Sequence, residues 1–399
     1  MPSPSASSGR RCVAARRRKW PRPRGPLGSS PPSGGSPESG SCSRPPARVS
    51  SRSPIACATG RSASTRISTS RSNEDAVKTS TLEFVPEDRP RVLAVLPHFG
   101  AVEETRATLE SLPLGDGLKV LVYDNDGGLA DLELPLGAEL RGEGRNLGFC
   151  KVVNEGLAQA QREDWPYLLL LNNDTRLAAG CLEALVDCLE ANRELAGCGP
   201  VLLRPGGAKI WSAGSAIRFG PNLVRHLHGG EELGTLSPEP YAVDFLPGAC
   251  ALYRVSALVQ VGGLDEAYFM YFEDADLGLS LRRRGLGLVC LPWARAQHGG
   301  SLASGGGASP LRKYLMGLNS VRFVRRSGRP GLMAAFLLVE VLGWPLGLLV
   351  YGLGPRGRLR AHLSKGKGIL HGLLGRRAGP ASIQRELGGR KLGNPEAAG

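Results

Sequence analysis

Short apolar runs that alternate with helical patterns organise the chain from Arg91 onward. Continuous apolar runs bounded by Pro, Asp or Asn are typical of buried strands, and apolar positions at a helical spacing follow them. Alternating strands and helices predict an α/β fold with a mostly parallel central sheet flanked by helices. The predicted strands cover residues 92–96, 119–123, 138–141 and 167–171, and the predicted helices cover residues 102–112, 149–161 and 180–191.

Polar residues stand where two of these apolar strands end. The second strand meets Asp124, and the fourth runs into Asn172-Asn173-Asp174. Ligands bind parallel sheets at the carboxyl ends of the strands. Carboxylates and carboxamides at that edge suit Mg²⁺ or Mn²⁺ shared with a substrate diphosphate. An Asx turn that merely ends the strand is the structural alternative.

Residues 260–285 combine carboxylates with aromatic side chains. Glu273 and Asp274 follow an aromatic cluster and begin a predicted helix that ends at three arginines. This charge distribution complements a helix dipole, which is a structural explanation, and the dipole would keep Asp274 ionised. Apolar neighbours can also tune a carboxylate for general-base work. His298 follows a strand-like segment, residues 286–291, and lies in a Gly-rich sequence, where it could be structural or contact a metal or phosphate.

Charge is distributed unevenly along the 399 residues. Residues 1–80 contain 15 Lys and Arg against 3 Asp and Glu, and residues 311–399 contain 16 against 3. The overall charge of +14 therefore leaves residues 81–310 at −11. The nine cysteines include no C-x-x-C pair, which favours a reducing compartment and argues against a structural zinc site.

Two other enzyme classes receive little support. The sequence GEGRNLG at 142–148 has one residue too many for a dinucleotide fingerprint and no apolar strand directly before it. A nucleotidyltransferase would need a phosphate-gripping loop after the first strand, and His98-Phe99-Gly100 does not provide one.

Both ends of the chain differ from its middle. Residues 1–88 are predicted to be a disordered Ser/Pro/Arg-rich tail, and a secretory signal is not expected there. This tail could bind nucleic acid or anionic lipid. Alternatively, it could be an extension upstream of the true start. A helix is predicted over residues 314–326. Residues 333–354 are nearly all apolar, but Glu340 and Gly343-Trp344-Pro345 disfavour a simple membrane span. An interfacial or re-entrant helix is predicted there, with a span or a helix packed on the catalytic domain as alternatives.

Seven motifs in order resemble those of family 2 glycosyltransferases, in the rhamnosyltransferase-like branch that builds bacterial cell-surface glycans. The motifs are VLPHFG (95–100), VYDNDGG (122–128), RNLGFCKVVNEGL (145–157), LLLLNNDT (168–175), LPGACALYR (246–254), VGGLDEAYFMYFEDADLGLSLRRRG (261–285) and AQHGG (296–300). The resemblance implies a GT-A fold and four segments. These are the tail at 1–88, a catalytic domain at 89–308, a helical membrane-interface segment at 309–377 and a flexible tail at 378–399.

The resemblance also implies roles for individual residues. Asp274, of the pair Glu273-Asp274, would be the catalytic base. Asn172 departs from the acidic form of the metal-binding D-x-D motif, which predicts a lower metal affinity. The implied donor-binding residues are Pro97, Asp124, Asn146, Gly148, Asn154 and Asn172; the acceptor-side residues are Asp265, Glu266 and Tyr271; and the metal ligands are Asp174 and His298.

These expectations define an inverting, metal-dependent glycosyltransferase. It would move a sugar, with a rhamnose-like sugar favoured, from a dTDP- or UDP-sugar to a hydroxyl of a glycan or lipid-linked glycan. The cofactor would be Mg²⁺ or Mn²⁺, and no specific nucleic acid is expected as a partner. The protein would be cytoplasmic and peripheral on the inner face of the cell membrane, in contact through residues 330–377. A non-catalytic nucleotide- or glycan-binding protein that retains the fold is the alternative.

Overall fold

The computed structural model describes residues 91–115, 117–218, 223–299, 309–328, 330–352, 356–380 and 383. The predicted N-terminal tail, residues 1–88, lies outside the described residues. So does the predicted C-terminal tail, residues 378–399, apart from residues 378–380 and 383.

Strands and helices alternate through the first part of the described chain, as the apolar pattern predicts. The strands are β1 (Val92–His98), β2 (Leu118–Asp124), β3 (Ala138–Arg141), β4 (Tyr167–Leu171), β5 (Thr175–Leu177), β6 (Leu195–Leu203), β7 (Ile210–Ser212), β8 (Ser215–Ile217), β9 (Val224–His226), β10 (Tyr241–Ala242), β11 (Cys250–Arg254) and β12 (Gly287–His298). The helices are α1 (Val102–Glu110), α2 (Phe149–Arg162), α3 (Cys181–Ala191), α4 (Val255–Val261), α5 (Glu273–Arg283), α6 (Pro310–Arg326), α7 (Pro330–Gly352) and α8 (Arg356–Leu373).

One large sheet forms the centre of the fold. Its strands lie in the order β10-β12-β6-β11-β4-β1-β2-β3. β1 pairs in parallel with β2 and β4, β2 with β3, and β12 with β6. β11 is antiparallel to both of its neighbours, β4 and β6. The predicted α/β class with a mostly parallel sheet is confirmed, and the antiparallel insertion of β11 is a feature that the sequence pattern did not predict.

Strand direction determines which loops meet. Because β11 reverses direction between β4 and β6, strands β1, β2, β4, β6 and β12 all point the same way. Every residue of β4 and β6 is buried, as expected for strands covered on both faces. The sequences that follow β4 and end β12 therefore lie at one edge of the sheet, with the start of β11 between them.

Three helices follow the sheet. α6 and α8 pack closely because both carry glycine at the contact. A Cβ atom at Gly368 would collide with the carbonyl oxygen of Tyr314, and one at Gly317 with the carbonyl oxygen of Lys365. α7 runs unbroken through Pro345, and the interfacial or re-entrant position predicted for this segment stays a prediction. Among the described residues, α7 provides one segment, Gly331–Tyr351, that is long and apolar enough to cross a membrane.

Candidate active site

A cavity of about 200 Å³ lies at the carboxyl edge of the sheet. Residues from both the sheet and α5 and α6 form its walls, although they are far apart in the sequence. Eight of the thirteen predicted site residues line it: Pro97, Asn146, Asn172, Asp174, Tyr271, Glu273, Asp274 and His298. The structure therefore brings the predicted base and both predicted metal ligands to one cavity.

Asp174 and His298 meet because β5 pairs with β12. The antiparallel register places His298 opposite Thr175. His298 Nδ1 lies 3.0 Å from Asp174 Oδ1, and the two side chains are only 1% and 9% exposed. The edge of the Trp211 ring packs against the His298 ring, with centroids 4.6 Å apart. β12 continues to His298 instead of ending at residue 291, so a strand holds this side chain directly before the Gly-rich sequence.

The first two residues of α5 are carboxylates with different environments. Burial, together with the Asp274 charge, raises the pKa of Glu273 well above its usual value. Glu273 Oε2 has no hydrogen-bond partner among the described residues. Burial also raises the pKa of Asp274 to about 6, although the backbone N–H of Ala275 donates to its Oδ1 at 2.8 Å. Burial thus disfavours ionisation of Glu273, whereas Asp274, with a pKa of about 6, is mostly ionised at neutral pH.

The loop before α5 has an unusual backbone. Phe269, Tyr271 and Phe272 have positive φ values of 62°, 70° and 74°. A bulky residue in this region costs about 1–3 kcal/mol, so neighbouring structure must hold it there. The Asn319 side-chain amide of α6 lies 2.9, 2.8 and 3.0 Å from three carbonyl oxygens within residues 268–271. Asn319 thus fixes the loop that carries the two carboxylates.

Asp124 is not among the described residues that line the cavity. Its carboxylate accepts backbone hydrogen bonds from Asp126 at 3.1 Å, Gly127 at 2.8 Å and Leu129 at 3.2 Å. Burial raises the pKa of Asp124, but these hydrogen bonds outweigh burial and hold the pKa below its usual value. The next residue, Asn125, does line the cavity. Asp124 therefore shapes the loop at the cavity, and its predicted contact with the donor stays a prediction.

Four further predicted residues lie outside the described lining and contact other parts of the protein. Gly148 precedes α2 with a φ of 82°. Asn154 donates from Nδ2 to Glu266 Oε1 at 3.1 Å, which joins α2 to the loop before α5. Asp265 forms an ion pair with Arg322 of α6. The side chains of Asn154, Glu266 and Asp265 join elements of the fold, and the predicted donor and acceptor contacts of all four residues stay predictions.

A second group of possible metal ligands was not predicted from the sequence. Among the described residues, ligand atoms of His98, Asp124 and Asp126 lie within 4.8 Å of one another. His98 Nε2 is 3.3 Å from Asp126 Oδ1, and His98 Nδ1 is 2.7 Å from Thr105 Oγ1. Asp126 Oδ2 also accepts the backbone N–H of Gly100 at 2.7 Å. This group could hold a metal ion: backbone N–H groups already bind both of its carboxylates, while His98 Nε2 has no hydrogen-bond partner among the described residues.

Two cavity residues escaped the sequence analysis. Arg312, in the first turn of α6, places its guanidinium 5.5 Å from the centroid of the Tyr271 ring. The centroids of the His226 and Trp211 rings are 4.4 Å apart. Burial, with the nearby Arg312 and His298 charges, lowers the pKa of His226 to about 4, so this ring is neutral. Arg312 shows that the helical segment, residues 309–377, also contributes to the cavity.

The chain belongs to the glycosyl transferase family group 2, whose family model matches residues 167–370. It is 34% identical over 173 residues to the N-acetylglucosaminyl-diphospho-decaprenol L-rhamnosyltransferase of Mycobacterium tuberculosis (strain ATCC 25618 / H37Rv), a match that covers 39% of this chain and 56% of that protein. It is 45% identical over 56 residues to Rhamnosyltransferase WbbL of Escherichia coli (strain K12), covering 14% of this chain and 21% of that protein. The chain thus spans little more than half of the first relative. The predicted family is confirmed.

Solved structures give only distant likenesses. The mannosyltransferase PcManGT from Pyrobaculum calidifontis, in complex with GDP-Man and Mn²⁺, is 14% identical with a TM-score of 0.43, over 72% of this chain and 88% of that chain. GalNAc-T7 with UDP, GalNAc and Mn²⁺ is 13% identical with a TM-score of 0.44, over 66% of this chain and 58% of that chain. These likenesses are too distant to bear on the function.

Proposed function

We propose that the protein is an inverting glycosyltransferase that moves a rhamnose-like sugar from a dTDP- or UDP-sugar to a hydroxyl of a lipid-linked glycan. The observation that carries this proposal is one cavity lined by an ionised Asp274 and by the pair Asp174–His298. Family membership and the two rhamnosyltransferase relatives support the reaction class and the sugar.

Asp274 is the proposed general base. Inversion at an anomeric carbon needs one base to take the proton of the attacking hydroxyl, and no second nucleophilic carboxylate. A base works best when its pKa lies near the operating pH, and burial raises the pKa of Asp274 to about 6. Burial and the Asp274 charge raise the pKa of the neighbouring Glu273, which disfavours a second negative charge beside the base. Asn319 holds the loop that aims Asp274 into the cavity.

Asp174 and His298 are the proposed metal ligands. Octahedral sites with metal–ligand distances of about 2.1 Å place adjacent ligand atoms about 3 Å apart, and the 3.0 Å between Asp174 Oδ1 and His298 Nδ1 fits this geometry. Asn172 lines the same cavity and adds a carboxamide oxygen. The His98 group fits less well because backbone N–H groups already bind its carboxylates. A metal bound here would offset the charge that develops on the departing diphosphate.

Arg312 is the proposed partner of the donor diphosphate. Its guanidinium lies beside the Tyr271 ring and on the cavity wall, where a planar cation can bind phosphate oxygens through two N–H groups. The neutral His226 and the Trp211 ring form an apolar and weakly polar wall suited to a sugar ring.

The proposed acceptor is a glycan carried on a polyprenyl diphosphate. The Mycobacterium relative is named for an N-acetylglucosaminyl-diphospho-decaprenol acceptor. α7 has an apolar segment, Gly331–Tyr351, and 6% of its most apolar window is buried in the protein. Basic flanks beside such a surface favour anionic lipid. We therefore place the protein at the cytoplasmic face of the cell membrane, in contact through residues 330–377.

The test is release of nucleoside diphosphate. The purified full chain is incubated with dTDP-, UDP- and GDP-sugars, with and without Mn²⁺, and with a polyprenyl diphosphate-linked N-acetylglucosamine. We expect release that needs the metal and rises on addition of the acceptor. Binding of a nucleotide sugar without release, with every donor and acceptor tested, would contradict the proposal.

A further inference from the structure

A second cavity lies next to the candidate active site, between α6, α7 and α8. Its volume is about 760 Å³, within the range of small-molecule sites. The catalytic residues do not line it, and its walls come mainly from the helical segment.

Three cationic side chains line this cavity. Lys313, Arg358 and Lys365 line it, and Glu340 is the one acidic residue in its described lining. Lys365 Nζ donates to both Glu340 carboxylate oxygens, at 2.6 and 2.8 Å, so Lys365 offsets the one negative charge. Burial, with the charges of Arg312 and Lys365, lowers the pKa of Lys313. The cavity thus has a surplus of positive charge that an anion would complement.

Most residues of α7 that line the cavity are apolar. Phe336, Leu346 and Val350 of α7 line it. Leu346 and Val350 are also 63% and 57% exposed, so they belong both to the cavity lining and to the exposed apolar surface of the helix. A hydrocarbon chain that begins in the cavity could leave along α7 without crossing a polar surface.

Chain neighbours line the two cavities at two places. Tyr271 lines the catalytic cavity, and the next residue, Phe272, lines the second cavity. In the same way Arg312 lines the first cavity and Lys313 the second. The residues that line the second cavity thus include direct chain neighbours of residues that line the catalytic cavity.

We infer that the cavity between α6, α7 and α8 binds the isoprenoid diphosphate of the acceptor lipid. The diphosphate lies against Lys313 and Arg358, the first isoprene units lie on Leu346 and Val350, and the sugar reaches past α6 into the catalytic cavity. This inference rests on the proposed function, since it names the site that holds the acceptor of that reaction.

The test measures binding of farnesyl diphosphate to the full chain by titration calorimetry. We expect wild-type protein to bind it at least tenfold more tightly than farnesol or inorganic pyrophosphate. Lys313→Gln and Arg358→Gln should each weaken binding at least tenfold. The matched control is Arg360→Gln, which removes the same charge from an exposed position of α8 outside the described lining and should leave binding unchanged. Lys365 is left intact because its removal would strand Glu340.

Donor hydrolysis by the same variants separates the outcomes. Arg358 is exposed, so Arg358→Gln tests the inference even if Lys313→Gln unfolds. Retained donor hydrolysis with no binding of farnesyl diphosphate overturns the inference and leaves the proposed function standing. Equal binding by the control and cavity variants overturns the inference as well. Displacement of farnesyl diphosphate by phosphatidylglycerol vesicles at equal lipid phosphate also overturns it, because the cavity then binds bulk anionic lipid. Binding of farnesyl diphosphate without turnover of any nucleotide sugar contradicts the proposed function instead.

Discussion

Replacing Asp274 by Asn should make the protein more stable while it abolishes sugar transfer. Asn has the same shape and can still accept the hydrogen bond from the Ala275 N–H, so the start of α5 is preserved. It cannot take a proton from the acceptor hydroxyl. It also removes a carboxylate that folding forces out of water, which is the cause of the raised pKa.

The size of the gain follows from that pKa. The pKa of Asp274 rises from 3.8 to about 6, and at about 1.4 kcal/mol for each unit of pKa the ionised form lowers the free energy of unfolding by about 3 kcal/mol at pH 7. Because the folded-state pKa is the higher one, this destabilisation is present above it and disappears as the pH falls below about 4, where Asp274 is protonated in both states. The unfolding temperature of the variant should therefore lie roughly 5–10 °C above that of wild type at pH 7. Below about pH 4 the two unfolding temperatures should be nearly equal.

Thermal unfolding at pH 7 and pH 4, with nucleoside diphosphate release measured on the same samples, tests both parts. Asp265→Asn is the contrasting variant. Burial raises the pKa of Asp265, but its bonds to Arg322 and the Ala267 N–H outweigh burial and lower it, so this variant should be less stable at pH 7. A variant Asp274→Asn that is no more stable than wild type at pH 7, or that still transfers sugar at a near-normal rate, would refute the reasoning.

Three further predictions follow from the same site. Asn319→Ala should lower the free energy of unfolding by about 2–3 kcal/mol, because it leaves carbonyl groups of the strained loop without a hydrogen-bond donor, and it should reduce kcat at least tenfold. Denaturant unfolding and steady-state kinetics measure the two effects, and an unchanged kcat would contradict the prediction. The ratio kcat/KM should fall about tenfold per pH unit below pH 6, since Asp274 must be ionised; a flat profile down to pH 5 would exclude it as the base. His298→Ala should raise the Mn²⁺ concentration needed for half-maximal donor hydrolysis at least tenfold, whereas His98→Ala should not, and the reverse pattern would move the metal to the His98 group.

Local pattern was enough to predict the parts of the site that belong to a single element. The apolar residues 167–171 predict β4, and the residues after β4 must then lie at the ligand edge of the sheet. Glu273 and Asp274 were placed at the start of a helix because acidic residues precede a helical apolar spacing. Each of these inferences needs only residues close together in the sequence.

The contacts that depend on distant pairing could not be predicted in this way. His298 reaches Asp174 only through the register of β5 with β12, which no short pattern specifies. Arg312 and Asn319 come from a helix that looked like part of a membrane segment, and their roles depend on how α6 packs against the loop before α5. The pKa of Asp274 depends on burial by these same distant elements, so the helix dipole gave an incomplete expectation.

α6 carries several of these distant contacts at once. Arg312 and Lys313 stand at its first turn, one on each cavity, and Asn319 holds the loop before Asp274 two turns later. At its far end Arg326 binds Asp276 within α5. If the proposed roles hold, a tilt or shift of α6 would move Arg312, Lys313 and the loop before Asp274 together, so lipid binding and alignment of the base would be coupled.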